Sequence, residues 1–273
     1  MKKPLVSVVM PAYNDEKYVG KAIESILNQT FKDFEFIIID DASKDKSLEI
    51  INKYAKKDKR IIVLKNENNL KICKTLNKGI KIAKGKYIAR MDADDWSYPE
   101  RIKKQVEFME KNPKVVICGG TMEVCNLKLN PINKREYNET NKEIRNKIFY
   151  WSPFCHATVI YKTNIIRKVG GYDPRFPKAQ DYDLYFRLGN EGEFANLKDT
   201  LFKMRVNPAG STFESIRQQE KYTLEIRKKA TKTYGYKMNI KEKIYYFAQK
   251  MSLFVIPPKL KYSIFNFLRS KIK

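Results

Sequence analysis

Histidine is almost missing from this chain: His156 is the single one among 273 residues. Cysteine is scarce as well, with Cys73, Cys118, Cys125 and Cys155, no two of them in a C-x-x-C pair. These counts exclude a disulfide scaffold, a zinc finger and a histidine-rich metal site, and they suit reduced cytosolic thiols. No G-x-G-x-x-G follows the first apolar run, and no G-x-x-x-x-G-K-[ST] occurs anywhere. Dinucleotide binding of the Rossmann kind and P-loop hydrolysis lose their main signatures. Long apolar runs are missing too. The late stretch Met251 to Ile256 falls far short of the ~20 residues that span a bilayer. The run after Lys2 and Lys3 is broken by Pro11 and has no small-residue cleavage site, so it does not read as a signal peptide.

What is present begins with charge. The chain carries 55 Lys+Arg against 31 Asp+Glu, a formal net charge of +24. The excess is uneven: from Ile226 to Lys273 there are 13 Lys/Arg and one acid, Glu242. Half the net charge thus sits in 48 residues. Such a tail suits a solvated helix face, nucleic acid or an anionic membrane. Its aromatics fall at helix spacing, without a nucleic-acid recognition motif, and Ile244, Tyr245, Phe247, Leu253, Phe254, Ile264, Phe265, Phe267 and Leu268 alternate with cations. That pattern favours an interfacial helical segment, divided by Pro257-Pro258, and argues against nucleic acid. With 42% apolar and 12% aromatic residues the rest can fill a core, and disorder is excluded for most of the chain.

The first 120 residues alternate short apolar runs with amphipathic stretches. Strands are expected at Leu5–Met10, Phe34–Ile39, Ile61–Leu64, Tyr87–Met91 and Val115–Cys118, the last stopping at Gly119-Gly120. Between them lie helical periods: Val19 to Leu27 after a cap at Asn14 or Asp15, a helix capped by Ser43, Ile72 to Ala83, and one from Pro99 to Asn112. Strand–helix alternation of this kind predicts an α/β fold with a mostly parallel sheet. Residues 121–210 read as irregular, with a strand at His156–Tyr161, a turn at Gly170–Pro174 and a helix from Gln180 to Leu188. Residues 211–273 read as a basic helical extension. Residues 1–120 and 121–210 read as two halves of one domain.

In open sheets ligands sit beyond the carboxyl ends of the strands. Those ends deliver Pro11-Ala12-Tyr13-Asn14, then Asp40 and Asp41, then Asp92, Asp94 and Asp95. Crowded carboxylates repel, so a cation or a set of donors has to offset them. In Asp92-Ala93-Asp94-Asp95, two carboxylates one residue apart can place oxygens on one hard cation, Mg²⁺ or Mn²⁺, which commonly bridges to substrate phosphates.

Five segments stand in order: Val6 to Asn14, Ser25 to Phe31, Phe36 to Ser43, Asp92 to Asp95, and Gly170-Gly171-Tyr172-Asp173 followed by Gln180-Asp181-Tyr182-Asp183-Leu184. Together they closely resemble the inverting family 2 glycosyltransferases of GT-A fold. The resemblance covers about residues 5 to 190. It implies a nucleotide-diphospho-sugar donor, with UDP-sugars favoured, a divalent metal, and single displacement onto a saccharide or lipid-linked acceptor, as in cell-surface polysaccharide synthesis. Pro11, Ala12, Tyr13, Asn14, Asp41, Lys71, Asp92, Ala93 and Asp94 are then expected at the nucleotide sugar, with Asp41 on the uracil N–H and Asp92 on the ribose. Asp181 is the expected general base. His156, Gln180 and Arg205 are expected on the acceptor side.

Three departures qualify the match. Asn69-Leu70-Lys71 stands where the family commonly has Asn-x-Gly. Gln180 replaces a Glu. Met204-Arg205-Val206-Asn207 stands where many relatives carry a metal-binding His, so the metal is assigned to Asp94, the diphosphate and waters. A sugar-nucleotide pyrophosphorylase is the alternative enzyme, but it needs a Gly-rich first loop that Pro11-Ala12-Tyr13-Asn14 does not provide. A non-catalytic basic membrane- or nucleic-acid-binding protein is the alternative outside enzymes. The expected place is the cytoplasm, peripheral on the inner face of the cell membrane.

Overall fold

A computed structural model describes residues 3–206 and 213–255, the side chains of 213–216 and 254–255 excepted. Its first half runs β1 (Val6–Ala12), α1 (Val19–Leu27), β2 (Phe34–Asp40), α2 (Ser47–Ala55), β3 (Ile61–Lys65), α3 (Lys71–Ile82) and β4 (Tyr87–Arg90). Then follow β5 (Trp96–Ser97), α4 (Arg101–Lys111), β6 (Val115–Cys125), β7 (Pro131–Arg135), α5 (Asn141–Lys147), β8 (Ile160–Lys162), α6 (Thr163–Lys168), α7 (Gln180–Gly189), β9 (Glu193–Arg205), α8 (Phe213–Thr233) and α9 (Ile240–Val255).

Among the described residues one sheet has the order β3-β2-β1-β4-β8-β6-β9-β5, with β7 paired to β6. Pairing is parallel across β3-β2-β1-β4. Past β4 it becomes mixed: β8 is antiparallel to both β4 and β6, and β9 is parallel to β6. Strands β1 and β2 are buried on both faces, which is why they read as near-continuous apolar runs. Alternate side chains serve opposite layers: Val8, Met10, Phe36 and Ile38 join one core, Val9, Ile37 and Ile39 the other.

The structure corrects several expectations. His156–Thr158 is a 3₁₀ turn, and the strand begins only at Ile160, because Thr158 folds back to donate from N and Oγ1 to the Cys155 carbonyl. Strand β6 does not stop at Gly119-Gly120 but runs on to Cys125. A Cβ on Gly119 would fall on Asn196 Oδ1 and one on Gly120 on Leu201 Cδ1, so these glycines admit neighbouring side chains. The region expected to be irregular holds the 13-residue strand β9. Ser43 does not cap α2, which starts at Ser47; its Oγ accepts the Asn14 N–H at 3.1 Å. Neither Asn14 nor Asp15 caps α1 through its side chain; the Asp15 carbonyl accepts from Tyr18 and Val19, both at 2.8 Å.

The C-terminal helices are built into the fold. Ile226 and Ala230 of α8 lie in the core with α7. Arg227 is buried and donates to Tyr182 Oη at 3.0 Å, to the Tyr150 carbonyl at 2.9 Å and to Gln249 of α9 at 2.5 Å. Residues 256–273, including Pro257-Pro258, Ile264, Phe265, Phe267 and Leu268, and the side chain of Phe254, lie outside the described residues. No described helix is long and apolar enough to cross a membrane.

Candidate active site

The chain winds from β1 outward to β2 and β3, then returns to β4 on the other side of β1. The gap between the carboxyl ends of β1 and β4 is therefore the switch point where an open sheet binds ligands. The loops after β1 and β2 are fastened together there. Asn14 N–H donates to Ser43 Oγ, Lys44 N–H to Asn14 Oδ1 at 2.8 Å, Asp15 N–H to Ser47 Oγ at 2.7 Å and Glu16 N–H to Asp45 Oδ2 at 3.0 Å. Asn14 and Ala42 hold left-handed backbone, at φ 57° and 61°; for alanine this costs about 1–2 kcal/mol, which the fastened loops sustain.

Asp92, Asp94 and Asp95 each offer an oxygen, all within 4.8 Å of one another. Asp92 Oδ2 accepts from Nη1 of the buried Arg90, and Asp95 Oδ1 accepts the Arg205 N–H at 2.7 Å. Burial, then the charge of Asp92, pushes the Asp94 carboxyl up to about 6. Burial, then Asp92 and Asp94, raises Asp95 well above its ordinary value. Asp15 faces the group from the β1 loop; burial first, and then Asp94 and Asp92, raise it to about 7, against a 2.9 Å bond from the Tyr13 N–H. Oxygen donors this close, their charge only partly offset, fit a hard divalent cation.

Of the residues expected at the nucleotide sugar, Pro11 and Ala12 end β1 and Tyr13 is exposed in the loop. Asp41 is buried and holds the loop before α3: its oxygens accept Asn66 Nδ2 at 2.7 Å, Leu70 N–H at 2.8 Å and Lys71 N–H at 2.9 Å. Lys71 sits at φ 66°, its side chain exposed. Ala93 is buried between the acids.

On the other side, Asp181 lies half-buried in the first turn of α7. The helix is preceded by Ala179 at φ 61° with no side-chain cap, so Asp181 lies inside the first turn rather than at the N-cap. Burial raises its carboxyl above the usual range, against the Tyr182 N–H and Arg90. His156 Nε2 lies 2.7 Å from Tyr172 Oη, which lies 3.1 Å from Tyr161 Oη. Burial, then Arg90, pushes the imidazole well below its ordinary value, so it is neutral at pH 7. Gln180 opens α7 beside Asp181.

Arg205 sits with the acidic tip. Its Nη1 donates to the Asp94 carbonyl, its Nε to the Leu127 carbonyl at 3.0 Å, and its guanidinium lies 4.3 Å from the centroid of Tyr18. Arg205, expected on the acceptor side, thus stands next to Asp94. Asp15 and Arg90, which the sequence pattern does not single out for the site, also belong to this group, together with Asp95 of the acidic tip. Arg90 closes β4, and its guanidinium meets Asp92 two residues on, beyond the end of the strand.

A family model described as Glycosyl transferase family 2 matches residues 7–170. The chain is 39% identical over 227 residues to an uncharacterized glycosyltransferase of Methanocaldococcus jannaschii, covering 82% of this chain and 78% of the relative. It is 35% identical over 212 residues to the putative glycosyltransferase EpsE of Bacillus subtilis, covering 74% and 73%. In fold it is similar to residues 1–349 of S. aureus TarS in complex with UDP-GlcNAc, at TM-score 0.63, 20% identity, and 89% and 79% coverage. It is likewise similar to the mannosyltransferase PcManGT from Pyrobaculum calidifontis in complex with GDP-Man and Mn²⁺, at TM-score 0.66, 14% identity, and 94% and 72% coverage. The sheet with its acidic switch point has the GT-A architecture, and the chain belongs to glycosyltransferase family 2.

Proposed function

We propose that this enzyme transfers a sugar, with inversion, from a nucleoside-diphosphate sugar to a hydroxyl of a saccharide or lipid-linked acceptor, in cell-surface polysaccharide synthesis. The observation that carries this reading is the Asp92–Asp94–Asp95 cluster at the switch point, its oxygens within 4.8 Å. Asp94, with Asp92 and Asp95 beside it, would hold Mg²⁺ or Mn²⁺. When bound, the cation neutralises charge on the departing diphosphate.

The acceptor oxygen forms its bond to the anomeric carbon as the bond from that carbon to the diphosphate oxygen breaks. The electron pair leaves with the nucleoside diphosphate, and the acceptor proton goes to an Asp181 oxygen. The raised carboxyl of Asp181 is a stronger base than a solvated aspartate, which suits that step. The fastened loops at Asn14 and Ser43 pre-shape the nucleotide cradle. Asp41 Oδ2 keeps a lone pair beyond the Lys71 N–H for the uracil N–H, Asp92 serves the ribose, and Lys71 is free to meet the phosphates. UDP-sugars are the favoured donors. The basic C-terminal region supports work at the inner face of the cell membrane, peripheral to it.

A thermal-shift panel of UDP-, GDP- and dTDP-sugars, with and without Mn²⁺, tests the donor assignment, since a ligand of the folded state raises Tm by mass action. The reading expects the largest shift with a UDP-sugar plus Mn²⁺. A larger shift with a GDP-sugar contradicts the uridine preference, and no shift with any donor contradicts the reading itself.

A further inference from the structure

Helix α9 is turned inside out. Its inward side carries Glu242, which is buried, Tyr245 and Gln249; Tyr245 packs with its ring tilted against Tyr150, 5.1 Å between centroids, and Gln249 accepts from Arg227. Its outward side carries Ile240, Ile244, Phe247 and Met251, which are 76%, 63%, 58% and 62% exposed. Spacings of four, three and four put these four on one stripe. A helix docked on a protein normally does the reverse, and a clustered exposed stripe marks a surface that something covers.

We propose that this stripe is the face by which the protein sits on an anionic lipid surface. Charge complementarity selects the occupant. Lys241 lies to one side of the stripe on the helical wheel and Lys243 and Lys250 to the other, all exposed, and Lys237 stands just before the helix. The only acid of α9, Glu242, faces inward. An apolar stripe flanked by lysine on both sides is the pattern of a helix lying in the headgroup region, with its cations at the phosphates. The chain continues past α9 with further cations and apolar residues in alternation. The structure also narrows the earlier expectation for the whole tail: α8 is packed into the core, and Tyr245 faces the protein, so neither belongs to the docking face.

The position of α9 connects this surface to the acceptor side. Tyr150, on which Tyr245 rests, begins the short segment that leads to His156. A lipid-linked acceptor held in the same bilayer would reach the site from that side. This deepens the membrane part of the proposed function, while the docking face itself does not depend on the chemistry.

Flotation of the full chain with phosphatidylcholine vesicles, and with phosphatidylcholine–phosphatidylglycerol vesicles, tests it. The doubly substituted Ile244→Ser/Phe247→Ser chain and the triply substituted Lys241→Gln/Lys243→Gln/Lys250→Gln chain are run beside it. All five positions are exposed, so the fold is expected to persist, with unchanged Tm and donor turnover in detergent. The wild type should partition onto the anionic vesicles, and the serine pair should lower that partition about tenfold or more. The glutamine variant should weaken binding most at low salt, because screening acts on the charge contribution alone. Failure of the wild type to float, or equal flotation of the serine pair, overturns the proposal. So does a wild type that is dimeric without lipid and made monomeric by the serine pair, because the occupant would then be a second copy. Turnover in detergent separates these outcomes from any failure of the proposed chemistry.

Discussion

Arg90 donates from Nη1 to Oδ2 of Asp92, a buried guanidinium beneath a cluster of carboxylates. The three acids of the cluster are therefore not equivalent. Asp92 is paired, and Asp94 is held against burial and against its neighbour. Asp92→Ala strands Arg90 without its carboxylate, a loss of about 3 kcal/mol by analogy with broken buried pairs. Asp94→Ala relieves repulsion and is expected to be neutral or slightly stabilising when no divalent cation is present. Urea unfolding in chelator gives both values, and equal destabilisation by the two substitutions would refute the distinction.

Asp181→Asn should lower turnover by roughly 10²–10⁴-fold with donor affinity nearly unchanged. The proposed base would work as the carboxylate, and burial raises its pKa, so activity should fall as pH drops through a value above about 4. The part of that limb set by Asp181 should be missing from the residual activity of the variant, while the part set by Asp94, held up to about 6, persists. A parallel loss of donor affinity would make Asp181 a donor-side residue.

The strands β1 to β4 and their acidic tips were legible because each is a short apolar run closed by turn-forming or acidic residues. Strand β9 was not legible. Its Lys198, Asp199 and Thr200 interrupt the alternation where the β6 register shifts, and only the tertiary pairing with β6 on either side carries one strand through them. Gly119-Gly120 read as a stop because glycine usually punctuates; here they make room for Asn196 and Leu201. Asp15 reads as a helix cap because sequence shows an acid before a helical period, whereas only the fold brings it near enough to Asp94 and Asp92 for their charge to raise its carboxyl. The outward stripe of α9 was hidden for a related reason: periodicity reveals an apolar face but not which way it points.

Lys229 joins α8 to the body through Asp173 at 3.1 Å and the fully buried Asp183 at 3.0 Å. Lys229→Met should cost about 2–3 kcal/mol, less than a full buried pair because Arg187 and Tyr234 still serve Asp183. Arg175, and then Lys229, hold Asp173 well below the usual carboxylate range. A carboxyl depressed by folding adds stability above its unfolded value near 4, and that stability is lost as pH falls toward the folded value. Unfolding followed from pH 7 to pH 2 should show a smaller acid-dependent loss in the variant. An identical profile would mean that Lys229 contributes nothing to Asp173.

The central claim is that the acidic switch point holds a cation which makes donor transfer possible. Nucleoside diphosphate release from a UDP-sugar, measured with Mn²⁺ for the wild type and for Asp94→Asn and repeated in EDTA, addresses it most directly. Asp94→Asn should reduce release by about 10²-fold or more without loss of Tm, and EDTA should suppress the wild type in the same way. Full release by Asp94→Asn, or a wild type indifferent to EDTA, would contradict the account.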